Sequence, residues 1–117
     1  MPITIKRIYD EASDDDGFRV LVDRLWPRGI SKERARIDLW VKDVAPSTEL
    51  RQWFHHDAAN WEEFLTRYRK ELAQNKTALD ELRATLKGKP KVTLLYGAKD
   101  EKHNQALILK DILSAPS

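Results

Sequence analysis

The sequence contains no cysteine among its 117 residues. This absence excludes disulfide bonds, thiolate nucleophiles and metal sites that need cysteine ligands. No apolar run approaches the roughly 20 residues of a membrane-spanning helix, and the first residues lack the long apolar core of a signal peptide. We therefore expect a cytoplasmic protein that has no membrane partner.

Neither sign of charge dominates, since 21 basic and 19 acidic side chains give a net charge of +2. Such a balance argues against an obligate binder of nucleic acid or membrane surfaces. The distribution is uneven, however, because an acidic segment at 10–16 precedes a basic segment at 19–36. The basic segment is either a solvated loop or a functional basic surface.

The motifs of several common enzyme classes are also missing. No serine lies on a nucleophile-elbow turn, which argues against a Ser/His/Asp triad. The single Gly97 falls far short of a P-loop or a dinucleotide-binding fingerprint. Adjacent His55 and His56 would point about 100° apart on a helix, so they cannot chelate one ion as an i, i+4 pair can. We expect no metal site, and the residues indicate no particular cofactor.

Apolar periodicity predicts one α/β domain over residues 1–117. Strands are predicted at 3–9, 18–23 and 92–96, and the segment 37–42 fits either an extended strand or a helical turn. The predicted helices begin near residues 32, 46, 60, 77 and 101. The long helical crossover between the second and third strands predicts parallel pairing.

Several residues are expected to cap these helices. Ser31 suits the helix that begins near residue 32, and Asn60 with a glutamate three residues later reads as a capping box. Thr77 is expected to cap the helix after a break near Asn75, and Asp100 the last helix, over about 101–113.

The first candidate group follows the second strand, where ligands of open parallel sheets bind. Arg24 and Arg28 can each present a planar guanidinium to a phosphate or carboxylate. Trp26 either packs in the core or stacks on a base or sugar. Asp23 either pairs internally with an arginine or faces a ligand. A separate candidate is Arg51, which lies largely opposite the apolar face of its helix.

The second group follows the third predicted strand. A strand that runs through a glycine into a helix N-terminus presents backbone N–H groups that favour anions. Lys99 would add charge, and His103, expected one turn into the helix, would add proton transfer. If Asp100 converges with Asp23, mutual repulsion would raise one pKa and supply a proton donor. The alternative is an ordinary capped helix with exposed charges.

Three stretches together resemble the YeaO-like branch of the bacterial domain-of-unknown-function 488 family. They are LVDRLWPRG at 21–29, APSTELRQWF at 45–54 and LLYGAKDEKHNQA at 94–106. The resemblance spans nearly the whole chain and implies a small Rossmann-like α/β domain with a short, mostly parallel sheet and flanking helices. It implies no catalytic assignment. It does imply that the following are signature positions of the family: Asp23, Arg24, Pro27, Arg28, Ser47, Tyr96, Asp100, His103 and Asn104.

The leading hypothesis is a domain that binds an anionic small molecule, a phosphate-bearing nucleotide or sugar, at the carboxyl ends of its strands, with catalysis left open. An alternative is a nucleic-acid-binding or regulatory module that uses the basic segment 19–36 with Trp26 as a stacking platform. A third is a protein-interaction module anchored by Trp40, Trp53 or Phe54. The candidate catalytic residues are Asp23, Asp100 and His103, and the candidate ligand-binding residues are Arg24, Trp26, Arg28, Arg51, Tyr96, Lys99 and Asn104.

Overall fold

The computed structural model describes residues 2–55 and 57–115, so the expectations for His56 lie outside the described residues. Its sheet has four strands, β1 (Ile3–Arg7), β2 (Phe18–Leu21), β3 (Leu39–Trp40) and β4 (Val92–Tyr96). Their order is β1-β4-β2-β3, and every neighbouring pair is parallel. The prediction of a small α/β domain with a mostly parallel sheet is confirmed.

The ambiguous segment at 37–42 supplies the edge strand β3. Val20 pairs with Leu39, and Leu21 pairs with Trp40. Strand β2 is therefore an interior strand, and Val20 and Leu21 are completely buried. This burial explains why the β2 sequence is apolar on both faces.

Five helices flank the sheet in the described residues: α1 (Lys32–Ala35), α2 (Thr48–Phe54), α3 (Trp61–Gln74), α4 (Lys76–Leu86) and α5 (Gln105–Ser114). The side chain of Ser31 caps α1 by accepting from the Arg34 amide, as predicted. Helix α2 begins after Ser47, whose hydroxyl accepts from the Leu50 amide. The break near Asn75 is also confirmed, because α3 ends immediately before it and α4 begins immediately after it.

Three predicted caps are wrong. Asn60 makes no side-chain cap to α3, because a short 3-10 helix over Ala58–Asn60 leads directly into that helix. Thr77 lies inside α4. Helix α5 begins at Gln105 with Asn104 as its cap, so Asp100 stands outside the helix.

The two faces of the sheet bury cores of different size. The larger core packs helices α2–α5 against side chains such as Val20, Leu94 and Tyr96. On the opposite face, Leu21 and Leu95 pack with Ile30 and Ala35 from the segment that includes α1. The alternation of side chains along each strand assigns neighbouring residues to these two cores.

Arg19 belongs to the interior rather than to a basic surface. It is only 3% exposed, and its guanidinium donates to Asp16 and to the carbonyl oxygen of Ala35. Lys6 donates to the same Asp16 carboxylate over 3.1 Å. Burial acts to raise the pKa of Asp16, but a hydrogen bond from the Ser13 backbone amide and the contacts with Lys6 and Arg19 lower it overall.

Candidate functional site

A cavity of about 250 Å³ opens at the carboxyl ends of the strands. This is where an open parallel sheet binds its ligands. Both predicted motifs reach it, the first through Asp23–Pro27 and the second through Gly97 and Ala98. The lining residues are Tyr9, Asp23, Arg24, Leu25, Trp26, Pro27, Ala45, Pro46, Arg51, Phe54, Phe64, Gly97, Ala98, Asn104 and Gln105.

Asp23 lies where the ends of β2, β4 and α5 meet. Its Oδ2 accepts from the Gly97 backbone amide over 2.9 Å, and its Oδ1 accepts from Nε2 of Gln105 over 2.6 Å. Burial raises the pKa of Asp23 to about 6, while these two hydrogen bonds and the charge of Arg51 act to lower it. Asp23 therefore changes its charge in the mildly acidic range.

Arg24 ties the end of β2 to the loop before α2. Its Nε donates to the Pro46 carbonyl oxygen and its Nη2 donates to the Ala45 carbonyl oxygen, each over 3.0 Å. In the described part of the chain, its Nη1 makes no hydrogen bond. Arg24 thus shapes the cavity wall and still has one nitrogen that can donate to a ligand.

Arg51 reaches the cavity from α2. Its charge acts on Asp23, yet the two side chains form no ion pair. Across residues 2–55 and 57–115, the Arg51 guanidinium makes no hydrogen bond at all. A half-buried guanidinium has five donors in a fork that matches phosphate or carboxylate, so Arg51 is the cation most available to an anion in the cavity.

The segment after β4 is a turn rather than the start of a helix. Asp100 Oδ1 accepts from the backbone amides of Lys102 and His103, and Asp100 Oδ2 lies 2.9 Å from Nδ1 of His103. These contacts lower the pKa of Asp100. The expectation that His103 lies one turn into the helix is wrong, because α5 starts two residues later.

The pKa of Asp23 is raised, but repulsion from Asp100, which the sequence predicted, is not the cause. Burial has that effect on Asp23, and Asp100 turns toward His103 instead of lining the cavity. The ring of His103 packs edge-on against Trp61 at 5.2 Å between ring centroids. Of the three candidate catalytic residues, only Asp23 lines the cavity.

The predicted ligand-binding residues separate into two groups. Arg24, Trp26, Arg51 and Asn104 line the cavity, whereas three others do not. Arg28 and Lys99 are exposed outside it, and Tyr96 is buried in the larger core, where burial raises the pKa of its phenol.

Trp26 has both a packing role and a place in the cavity wall. Its Nε1 donates to the Ile30 carbonyl oxygen over 2.7 Å, and its ring meets Trp40 edge-on at 5.4 Å between centroids. Phe54 and Phe64 stack on each other at 4.3 Å and form another apolar part of the wall. The cavity therefore combines two arginines and a carboxyl group with aromatic surface.

Two polar residues of the cavity lining, Tyr9 and Gln105, were not among the predicted site residues. Tyr9 donates through its hydroxyl to the Arg28 carbonyl oxygen over 3.1 Å, and nothing in the pattern of β1 marks it. Gln105 follows Asn104, a candidate ligand-binding residue, within the third family-like stretch, and that position was an available signal. Its hydrogen bond to Asp23 gives it a direct role in the site.

The aromatic residues considered as protein anchors are partly covered. Lys42 lies over the Trp40 ring at 4.1 Å, and Arg67 lies over the Trp53 ring at 4.3 Å. Phe54 is only 2% exposed. These contacts leave less free aromatic surface than the sequence indicated.

Metal-ligand clusters and membrane-spanning helices are both absent from the described residues. No group of three or more potential ligands among the described histidine, aspartate and glutamate side chains could hold a metal ion. Within the same described ranges, each helix is too short or too polar to cross a membrane.

The fold and cavity define a small α/β domain with an open parallel sheet and a polar site at its strand ends. The chain belongs to the family described as "Inactive DUF488-N3 subclade", which it matches over residues 2–116. This membership confirms the resemblance noted from the three stretches. No solved structure matches the chain significantly.

Proteins from two bacteria are similar to almost the entire chain. The "Uncharacterized protein YeaO" of Escherichia coli is 47% identical over 97% of this chain and 97% of its own length. The "Uncharacterized protein Rv3073c" of Mycobacterium tuberculosis is 43% identical over 96% of this chain and 93% of its own length. The full extent of both matches shows that the family's domain covers the cavity and every element around it.

Proposed function

We propose that this domain binds a small anionic molecule, a phosphate-bearing nucleotide or sugar, in the cavity at the strand ends. The observation that carries the proposal is Arg51, whose half-buried guanidinium borders the cavity without a hydrogen-bonding partner among the described residues. A guanidinium removed from bulk water gains most from an anion that accepts two of its hydrogen bonds.

The charge of the cavity supports the same ligand class. Two arginines, Arg24 and Arg51, face one carboxyl group, Asp23. The cavity therefore has a net positive charge whether Asp23 is protonated or ionised, and low-dielectric walls strengthen the attraction of an anion.

The size and aromatic walls support a compact ligand. A volume of about 250 Å³ lies just below the roughly 300–1,000 Å³ of pockets that hold drug-sized ligands. Trp26, Phe54 and Phe64 offer apolar surface to a ring or sugar next to the charged group. A mononucleotide-sized or smaller ligand fits these dimensions better than a dinucleotide.

Binding without turnover is the better-supported form of this proposal. The description of the matching family calls the subclade inactive. Asp23 would be the acid or base if the domain were an enzyme, because it titrates near pH 6 beside the cavity. A cytoplasmic location remains part of the proposal, and cell fractionation would test it.

A thermal-shift screen tests the proposed function. Wild type, Arg51→Gln and Arg34→Gln would be heated with nucleotides, sugar phosphates and inorganic anions. Arg34 is the matched control, because it is an exposed arginine outside the cavity. A ligand at a hundred times its Kd stabilises by about 2.7 kcal/mol, which for a domain of this size is a shift on the order of 10 °C.

The expected result is a shift with one ligand class that is lost in Arg51→Gln and kept in Arg34→Gln. A shift of equal size in all three proteins would contradict a role for Arg51. No shift with any anion would contradict the proposal as a whole.

The nucleic-acid alternative would depend on fewer cations than the sequence indicates. Arg19 is buried, and Arg36 pairs with Asp14 over 3.1 Å. Arg28, Lys32 and Arg34 remain exposed in the basic segment. Binding of DNA or RNA that weakens steeply with salt and is lost when these three are neutralised would favour this alternative.

A further inference from the structure

Asp23 presents an acceptor to the cavity in addition to the bonds it already makes. Each of its oxygens accepts one hydrogen bond, from Gly97 or from Gln105. An ionised carboxylate has about four lone-pair positions, so two acceptor positions remain. Arg51, which lines the same cavity, supplies donors only.

We propose that the cavity selects oxyanions that still carry a proton, such as hydrogen phosphate, over fully deprotonated ones such as sulfate. Arg51 would hold the anionic oxygens, and Asp23 would accept a hydrogen bond from the remaining O–H of the ligand. This inference rests on the proposed function and names its ligand class more narrowly.

The physical reason is that the Asp23 carboxylate repels an oxyanion without a proton and attracts one that has an O–H. An ionised Asp23 repels any oxygen of an anion that brings no proton, because like charges at short range disfavour each other. A ligand O–H replaces that repulsion with a charge-assisted hydrogen bond. Hydrogen phosphate has such an O–H near neutral pH, whereas sulfate and phosphate diesters have none.

The groups around Asp23 set its pKa, and this pKa sets the pH above which the cavity prefers oxyanions that carry a proton. Arg24 and Arg51 bring positive charge, the Gly97 amide and the Gln105 side chain donate hydrogen bonds, and the phenol of Tyr68 is uncharged. Burial nevertheless raises the pKa of Asp23 to about 6. Above that pH Asp23 is ionised and selective, and below it a neutral Asp23 can donate its own proton to sulfate.

The two anions should therefore differ in pH dependence. Sulfate binding requires a protonated Asp23, so its affinity should fall about tenfold per pH unit above about pH 6. Inorganic phosphate carries at least one O–H in both of the ionisation states that it adopts over this range, so its affinity should show no comparable loss as Asp23 ionises. The preference for phosphate should approach a hundredfold at about pH 8.

Isothermal titration of wild type with inorganic phosphate and with sulfate, at constant ionic strength from about pH 5.5 to about pH 8, tests these profiles. The key variant is Asp23→Asn. Its amide can still accept from Gly97 and can donate to Gln105 once the Gln105 amide turns over, so the contacts are kept. The matched control is Asp111→Asn, which removes an exposed carboxylate of α5 outside the cavity.

We expect Asp23→Asn to bind sulfate with little pH dependence and to lose the preference for phosphate, while Asp111→Asn behaves like wild type. If wild type binds both anions with the same pH profile, the selection by Asp23 is overturned and the proposed anion site stands. If Asp23→Asn keeps the preference, Asp23 is not its source, and the inference is likewise overturned. If wild type binds neither anion, both the inference and phosphate binding at this site are overturned.

Circular dichroism and thermal unfolding would be recorded for each variant at each pH. A folded Asp23→Asn protein that fails to bind either anion would contradict the inference, because the variant retains Arg24 and Arg51. Arg51→Gln provides an independent readout, since it should weaken both anions together. Because the charge of Arg51 acts to lower the pKa of Asp23, its loss should also move the pH at which the preference for phosphate begins to higher values.

Discussion

The backbone amide of Gly97 donates a 2.9 Å hydrogen bond to Oδ2 of Asp23. This contact joins the ends of β2 and β4, which are neighbours in the sheet. A Cβ atom added at Gly97 would lie 2.7 Å from the same carboxylate oxygen. Glycine is therefore required at position 97 by the close approach of Asp23.

Gly97→Ala should displace the Asp23 carboxylate and break its bonds to Gly97 and Gln105. The expected cost is about 1–3 kcal/mol in the free energy of unfolding, together with weaker anion binding. Urea denaturation and the phosphate titration would measure the two effects. The control is the Asp23→Ala background, in which the same substitution should cost much less; equal costs in both backgrounds would contradict the clash.

Asp23→Asn should become more stable than wild type as the pH rises. The pKa of Asp23 is about 6 in the folded protein, against an ordinary 3.8. The folded state therefore binds the Asp23 proton more tightly than the unfolded state does. The resulting stabilisation of the folded wild type is fully present below about pH 4 and is lost as the pH rises through 6. The stability of the variant relative to wild type should increase by about 2–3 kcal/mol across that window.

Urea denaturation of both proteins at about pH 4, 5 and 7 would measure the difference. Asp16 and Asp100, whose pKa values are lowered, act in the opposite direction, but they are common to both proteins and cancel. A stability difference that does not change with pH would contradict the raised pKa of Asp23.

The two strand ends were predictable because each is a local pattern. Apolar runs that stop at Asp23 and at Gly97 mark the ends of β2 and β4, and parallel strands bring such ends to one edge of the sheet. Strand β3 was ambiguous because two residues, Leu39 and Trp40, carry too little periodicity to separate a strand from a turn. Its pairing with β2 is a tertiary contact.

The start of α5 and the role of Arg51 depend on contacts that sequence spacing does not carry. Asp100 and Asn104 are both good N-cap residues, and the choice between them is made by the turn that Asp100 forms with His103. Helical spacing places Arg51 largely opposite the apolar face of α2, and only the packing of that helix reveals that Arg51 lines the cavity. The basic segment 19–36 begins with Arg19, and its pairing with Asp16 of the preceding acidic segment is a contact that the sequence does not reveal.

Arg19→Met should destabilise the protein far more than Arg36→Gln. The first change leaves Asp16, which is 7% exposed, with Lys6 as its remaining charged partner. Breaking a buried pair in this way costs about 3–5 kcal/mol. Arg36 and Asp14 form an exposed pair, for which about 0–1 kcal/mol is expected. Equal midpoints for the two variants in urea denaturation would contradict the interior role of Arg19.

Asn104→Ala should destabilise α5, whereas Asp100→Ala should affect mainly the turn before it. Oδ1 of Asn104 accepts from the Leu107 amide over 3.2 Å, and its Nδ2 donates to the Asp100 carbonyl oxygen over 2.9 Å. The Asn104 side chain is buried, since the residue is only 1% exposed. Its truncation therefore leaves the Leu107 amide and the Asp100 carbonyl oxygen without their hydrogen-bonding partner.

Loss of an N-cap costs about 0.5–2 kcal/mol, and a buried carbonyl without a partner adds to that cost. Asn104→Ser is the matched control, because a serine hydroxyl can still accept from the Leu107 amide, while the amide donor to Asp100 is lost without the addition of a charge. Stability should therefore fall in the order wild type, Asn104→Ser, Asn104→Ala. The contrary result would be that Asp100→Ala destabilises the protein more than either Asn104 variant and lowers the protection of α5 amides from hydrogen exchange. In that case α5 would begin near residue 101, and Gln105 could not donate to Asp23 from the first turn of the helix.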